Sequence, residues 1–471
     1  MSGIADRLRA ALGARVHTDP ETLAAHRRDY WARAEIADLT GHGPPPPAAV
    51  VRPESTEQVA TVLRLCRDAR VPVVPFGGGS GVCGGVESRP EVVVLSTRAL
   101  DGLVTLDSRE LRASFRAGTM GGDAERRVAS EGLTIGHWPQ SVELSTVGGW
   151  VATRAAGQFS TRYGSIEDLV LALEVVLPDG RILRSAETPR AAAGPDLRQW
   201  FMGSEGTLGV VTEVTFSLRP QPESRRLAAF HFPTLESGLE AIRRFIRVGW
   251  QPPVVRLYDE RESRRQFAAQ CPEGRCLLLL VHEGPTGAVT AEAAGVDALC
   301  RAEQGEPADP KAVEHWLEHR NQVPSFRELL ERGLVVDTIE VAATWDRVSG
   351  LYRAVVASLR ELPEVALASA HSSHSYRSGT NLYFTFAARV EDRTRMAAIY
   401  DECWRRTMRA THAAGGGIAH HHGIGRVRRA YLRDEIGDVG VALLRALKRS
   451  LDPDDLLNPG VLLPEPAANA P

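Results

Sequence analysis

Cysteine is sparse in this 471-residue chain, and the six present, Cys66, Cys83, Cys271, Cys276, Cys300 and Cys403, include no CxxC pair. That excludes a zinc ribbon and argues against a disulfide framework, so reduced thiols in a cytoplasmic setting are expected. Lysine is almost missing. Lys311 and Lys448 are the only two, and the rest of the basic charge is arginine, which reads as coding bias before phosphate recognition. The 56 basic residues are offset by 59 acidic ones, so no bulk positive charge is available for nucleic acid. The longest strongly apolar run, Cys276 to Val281, falls far short of the roughly 20 residues of a membrane helix. The start, MSGIADRLRAALGARVHTD, lacks the apolar stretch of a signal peptide, and the end, Ala470-Pro471, lacks an SKL-type address. A soluble protein with at most peripheral membrane contact is expected. The glycine-rich turn after VPVVPF is not a Walker loop, since no GK[ST] follows, nor the GxGxxG dinucleotide fingerprint opening a helix, and no internal repeat is seen.

At 43% hydrophobic and 24% charged the composition is that of a globular protein, and the length exceeds what one core organises. Residues 1–43 read as short helices ending at the Pro44–Pro47 break. From 44 to 220 strands and helices alternate: AAVVRP, the Ser55/Thr56-capped helix STEQVATVLRLCRDAR, VPVVPF, and then several strands with Asp/Gly punctuation. A second α+β unit is expected over 221–440, and residues 441–471 are apolar enough to pack back onto the body.

The VPVVPF strand runs directly into Pro75, Phe76, Gly77, Gly78, Gly79, Ser80 and Gly81. Consecutive glycines let a backbone turn sharply and aim several N–H groups at one anion, for which a pyrophosphate is the natural guest. A tight turn without a ligand has the same signature. Three later segments share its small-residue and hydroxyl texture: Pro139–Gly157, Arg162–Leu169 and Gly203–Val211.

In the second half, four segments carry candidate chemistry: VVRLYD with Arg256, ATWDRV, HSYRSGTNLYFTF with Tyr383, and AHHHGIGR with His420, His421, His422 and Arg426. Alternation puts Tyr383 and Thr385 on one strand face. The histidine run is internal and therefore not a tag. Imidazoles suit proton transfer or anion binding, a metal would require further converging ligands, and a structural cluster stays open. Arg256, and Arg327 in PSFRE, could equally form surface ion pairs.

PFGGGS, STVGGW, YGSIEDLV and GSEGTLGVVTE, in that order, resemble the two-subdomain flavin domain of the vanillyl-alcohol-oxidase (PCMH) type. The resemblance implies an α+β fold with an α+β substrate (cap) domain and a bound FAD. Its pyrophosphate would lie on Pro75–Gly81. Gln140, Ser141, Val142, Glu143, Leu144, Ser145 and Thr146, with Thr153, Arg154, Ala155 and Ala156, would line the ribityl and ring. Glu205, Gly206, Thr207, Leu208, Gly209, Val210 and Val211 would close over it. No histidine lies near the glycine turn and Cys83 is read as packing, so the FAD is expected to be non-covalent.

The substrate-side motifs are similar to alkyldihydroxyacetonephosphate synthases. That likeness implies Tyr383 as proton donor and acceptor, with His420, His421 and His422 as an essential cluster. Arg256, Arg426 and, with a one-residue gap, Arg327 would hold substrate. The reaction implied is exchange of the acyl group of 1-acyl-dihydroxyacetone phosphate for a fatty alcohol, through an adduct at flavin N5, giving an ether-lipid precursor. Metal-binding hydroxyacid dehydrogenases of this fold carry a second histidine where Tyr383 stands and a glutamate where His421 stands, so no metal is expected. Arg426 replaces that synthase family's lysine, and the tail DPDDLLNPG is similar to the dehydrogenases. A metal-independent FAD-linked oxidoreductase of a hydroxyacid such as D-lactate or glycolate is therefore the second reading, and a non-catalytic flavin-binding protein the third. Expected partners are a lipid-like or hydroxyacid small molecule and a second copy in a homodimer.

Overall fold

A computed structural model describes residues 3–188 and 190–465, so Met1, Ser2 and the last six residues of the expected C-terminal segment lie outside it. The chain is α+β, with three principal sheets. Short helices Ile4–Leu12, Pro20–Ala25 and Ala32–Leu39 precede the first sheet. Its parallel strands Ala49–Val51, Val93–Ser96 and Val73–Phe76 lie side by side, with Val16–His17 antiparallel at the edge. Helix Thr56–Asp68 begins where Ser55 accepts the Gln58 N–H at 3.3 Å. It buries Val59, Val62, Leu63 and Cys66 at helical spacing against that sheet.

The second sheet is antiparallel, in the order Leu103–Asp107, Arg112–Arg116, Val210–Ser217, Val170–Val176, Ile182–Arg184. The third has seven strands: Glu306–Ala308, Ser224–Phe232, Cys276–Gly284, Val254–Tyr258, Val365–Ser372, Gly379–Arg389 and Leu334–Thr344. Strand Cys276–Gly284 sends Leu278 and Leu280 into one core and Leu277, Leu279 and Val281 into another. Burial on both faces explains its unbroken apolar run, which alternation alone would not produce. On Gly379–Arg389 the faces differ: Leu382, Phe384 and Phe386 enter the main core, whereas Tyr383 and Thr385 face a cavity. Among the described residues no helix is long and apolar enough to cross a membrane.

Helix Leu432–Leu451, broken at Gly437, returns the chain to the first two sheets. Lys448, only 6% exposed, anchors the return. Its ammonium donates to Thr207 O at 3.0 Å, Leu457 O at 2.7 Å and the Asp452 carboxylate at 2.5 Å. Deleting one member of a buried ion pair strands the other. Lys448→Met is therefore expected to cost about 3 kcal/mol of stability, read as a lower melting temperature of the purified protein.

Candidate active site

A cavity of about 930 Å³ lies between the two smaller sheets and one face of the seven-stranded one, where Arg256, Tyr258, His371, Tyr383 and Thr385 line it. Its first wall is the turn after strand Val73–Phe76, and every residue from Pro75 to Gly81 lines it. The turn packs so closely on its neighbour that a Cβ on Gly78 would sit 2.1 Å from Leu144 O, so only glycine fits there. The facing wall is built by Gln140, Ser141, Leu144, Ser145, Thr146, Thr153, Ala155 and Ala156, and the floor by Glu205, Gly206, Gly209, Val210 and Val211.

Five expected cofactor contacts turn elsewhere. Val142 and Leu208 enter the core of the second sheet. Glu143 points outward to Arg126 at 2.9 Å, and Arg154 approaches Glu167 at 3.4 Å. Thr207 donates its hydroxyl to Ser204 O at 2.7 Å within the turn. Cys83 is not a cavity wall either, because its Sγ receives a bond from Arg428 Nη1 at 2.8 Å.

The far end of the cavity gathers imidazoles and phenols. Tyr383 takes the Thr338 hydroxyl as donor at 3.1 Å and stacks on His371 with ring centroids 4.9 Å apart. His421 and His422 lie 6.0 and 5.5 Å from the same ring. Burial, with Glu340 and Asp337 adding negative charge, raises the Tyr383 phenol, so it holds its proton well above neutrality. The expected catalytic His420 lies behind this wall and does not line the cavity, its Nδ1 2.8 Å from that of His421 and its Nε2 2.9 Å from Tyr376 OH. Burial lowers His420 to about 4 and lowers His421 and His374 as well, so these rings are neutral at pH 7. His422 Nδ1 lies 2.7 Å from the Glu340 carboxylate, whose second anchor is Arg428. Such a set can pass a proton from ring to ring without carrying net charge.

His371 belongs to no motif of the sequence, and His374 stands in the HSYRSGTNLYFTF segment only as a neighbour of Tyr383. Both sit on or beside strand Val365–Ser372, and only the sheet brings them against Tyr383 and the histidine run. Ring nitrogens of His374, His420 and His421 lie within 4.8 Å of one another, a set that could hold a metal ion.

Of the three expected arginines, Arg256 alone lines the cavity. It is 8% exposed and donates from Nε to Tyr258 OH at 2.9 Å and from Nη2 to His371 Nε2 at 2.8 Å. Since a guanidinium only donates, His371 Nε2 carries the lone pair and Nδ1 the proton. Arg327 is exposed on helix Phe326–Glu331, pairing with Glu331 at 2.8 Å and Glu35 at 3.6 Å. Arg426 spends its Nη1 and Nη2 groups on Gly460 O and Pro459 O, at 3.0 and 3.2 Å. Neither is placed to hold substrate, because local acceptors within reach neutralise or saturate both.

Comparison with known proteins defines the class. Residues 47–186 match the model for the FAD binding domain, and residues 221–462 that for the C-terminal domain of FAD linked oxidases. The chain is 34% identical to an uncharacterised FAD-linked oxidoreductase, YgcU, of Escherichia coli (strain K12), over 98% of each chain. It is 31% identical to alkyldihydroxyacetonephosphate synthase of Trypanosoma brucei brucei, over 93% of this chain and 76% of that one. A solved alkyldihydroxyacetonephosphate synthase superposes with a TM-score of 0.81 at 26% identity, covering 97% of this chain and 84% of that one. The chain belongs to the FAD-linked oxidase family of the vanillyl-alcohol-oxidase type, which includes the alkyldihydroxyacetonephosphate synthases. Its cofactor is FAD, and the glycine cradle opening onto a cavity of about 930 Å³ fits that molecule.

Two outcomes test this geometry. In Gly78→Ala the new methyl meets main chain that cannot step aside, and flavin content, read as the ratio of visible flavin absorbance to the protein band, is expected to fall roughly tenfold. Glu205 accepts N–H bonds from Ile424 at 2.7 Å and Gly425 at 2.9 Å, joining the cavity floor to the histidine loop. Burial pushes its carboxyl from an ordinary 4.5 to about 7. Between those values the folded chain holds a proton that the unfolded chain has lost, so stability falls as pH rises through the window. Glu205→Gln removes that titration. Unfolding at pH 6 is then expected to release about one proton fewer than in the wild type, measured from the pH dependence of the denaturation midpoint.

Proposed function

We propose that this chain is an FAD-dependent enzyme of the alkyldihydroxyacetonephosphate synthase type, exchanging the acyl group of 1-acyl-dihydroxyacetone phosphate for a fatty alcohol. The observation that carries the reading is the gathering of Tyr383, His371 and His421 at one end of the flavin cavity, beside the buried Arg256. FAD, when bound, supplies the electron-accepting ring next to which the substrate carbon is activated. Tyr383 moves the proton at that carbon through its hydroxyl, with Thr338 fixing the phenol's lone pair and the neutral imidazoles relaying the charge. Arg256 offers a guanidinium fork to the anionic end of the substrate.

A second reading, an FAD-linked oxidoreductase of a hydroxyacid, draws on a specific feature. The three converging imidazoles of His374, His420 and His421 are the donor type that a divalent ion takes. Identity of 25% to the glycolate oxidase subunit GlcD of Bacillus subtilis, over 89% of this chain and 90% of that one, is in keeping with it.

Purified flavoprotein is to be given palmitoyl-dihydroxyacetone phosphate with hexadecanol and, separately, D-lactate or glycolate with a dye acceptor. Ether product is the expected result, and dye reduction without it would overturn the exchange reaction in favour of the second reading. Tyr383→Phe is expected to lower turnover about 100-fold or more with flavin still bound. Normal turnover in that variant removes Tyr383 from proton transfer.

A further inference from the structure

We infer that Arg320, which no sequence motif singled out, is the second anion-holding arginine of this site and grips a phosphate monoester dianion together with Arg256. This rests on the phosphate-ester reading above. Among the described residues four arginines line the cavity: Arg98, Arg256, Arg265 and Arg320. Arg98 is exposed at the glycine-turn end and donates to Gly118 O at 2.9 Å. Arg265 is neutralised by Glu262 at 2.5 Å. Arg256 and Arg320 have no carboxylate partner among the described residues, although Arg256 is more than nine-tenths buried.

What surrounds the two guanidiniums is aromatic. Arg256 lies 5.2 Å from the Trp316 ring centroid and 5.5 Å from that of Tyr258. Arg320 lies 5.4 Å from Phe159 and 5.6 Å from Trp138. Phe159 and Trp316 are themselves in contact, centroids 6.5 Å apart, so the two cations flank one aromatic cluster. Ring faces offset only part of the cost of withdrawing a guanidinium from water. Arg256 also opposes the charge on Arg320 across that cluster, so the site is completed by an anion of matching charge. Burial and the nearby charges of Arg225 and Arg256 lower Arg320 to about 10, which leaves it cationic at pH 7. A phosphate monoester, with close to two negative charges at that pH, balances the pair; a monocarboxylate does not. Among the described residues Arg320 keeps Nε and Nη2 free of protein acceptors, and only Nη1 is engaged, by Gln158 Oε1 at 2.7 Å.

The segment that carries Arg320 is fastened across the cavity from the flavin side. The carbonyls of Arg320, Gln322 and Pro324 receive Gln158 Nε2 at 3.3 Å, Gln140 Nε2 at 2.8 Å and Tyr30 OH at 2.7 Å. Three donors on alternate carbonyls fix the backbone from which the guanidinium reaches the pocket. Gln140 thus spends its amide on this strap.

The test is calorimetric titration of the flavin-loaded enzyme with sn-glycerol 3-phosphate and, separately, with D-lactate. Saturable binding of the phosphate is expected in the wild type. Arg320→Gln is expected to weaken it at least tenfold with flavin absorbance and melting temperature unchanged, and Arg327→Gln to leave it as it was. Gln158→Glu places a carboxylate against Arg320 and is expected to weaken phosphate binding comparably, which covers the case of a poorly folding Arg320 variant. Wild-type affinity in both Arg320→Gln and Gln158→Glu would overturn the assignment, as would an absence of phosphate binding to the wild type. D-lactate binding as tight as the phosphate would overturn the dianion. None of these readouts needs turnover, so the exchange reaction can fail while the anion site stands.

Discussion

Glu340 and Arg428 are both fully buried and meet at 2.7 Å, and the geometry of the histidine loop depends on that pair. Glu340 sits opposite Tyr383 in the register of strands Leu334–Thr344 and Gly379–Arg389. One carboxylate oxygen accepts the His422 N–H at 3.1 Å, and the other faces both Arg428 Nη2 and His422 Nδ1. Arg428 in turn donates to Gly423 O at 2.9 Å and lies over the Trp404 ring. Burial opposes ionisation of Glu340, yet the adjacent Arg428 and His422 hold its carboxyl far below the usual range. A pair that interior charges create and interior dipoles satisfy is costly to break from either side. The loop Ala419–Gly425, which is not in regular helix or strand, therefore gains a fixed position from electrostatics and main-chain bonds.

The same anchoring explains why one end of the cavity holds so many neutral bases. Desolvation disfavours the imidazolium at His371, His374, His420 and His421; Arg256 reinforces it at His371 and His374, whereas Glu340 partly opposes it at His420. Positive charge is thereby left to the guanidiniums, and proton traffic to rings that are uncharged at rest. Segregation of the two roles suits a reaction in which an anionic substrate must be held firmly while a proton moves at a carbon nearby. Were the imidazoles charged, they would bind the anion themselves and lose their capacity to accept.

Much of this was legible in the residues, and the limits are physical. The glycine turn carries its function in its backbone, so PFGGGS marks a sharp turn that the later small-residue segments single out as a cradle, and alternation in LYFTF places Tyr383 opposite the core. Individual contacts were harder. Within Gln140–Thr146, Val142 faces the core and Glu143 finds Arg126, because a turn's side chains diverge where a strand's would alternate. Arg327 and Arg320 differ by seven positions and look alike as letters, but Glu331 and Glu35 lie beside the first and aromatic rings beside the second. Ion pairing between distant segments leaves no local pattern, and the histidines of strand Val365–Ser372 join the site only through sheet pairing.

The flavin side and the chemistry side are joined by polar bonds that all border the cavity. Glu205 reaches the Ile424 and Gly425 amides, Asn458 Nδ2 donates to Gly85 O at 3.0 Å and Glu205 O at 2.7 Å, and Gln140, Gln158 and Tyr30 hold the Arg320 strap. Asp29, buried and raised to about 7 by that burial, takes the Gly85 N–H at 2.7 Å beside Glu205. Each of these contacts has a backbone group on one side, which has little freedom to adjust. On the proposed function, a cofactor lying along the glycine turn and a substrate lying against Tyr383 would share a single frame. The relative placement of ring and reacting carbon would then be set by the fold before either molecule arrives, which is the form of preorganisation that lowers a barrier without further motion.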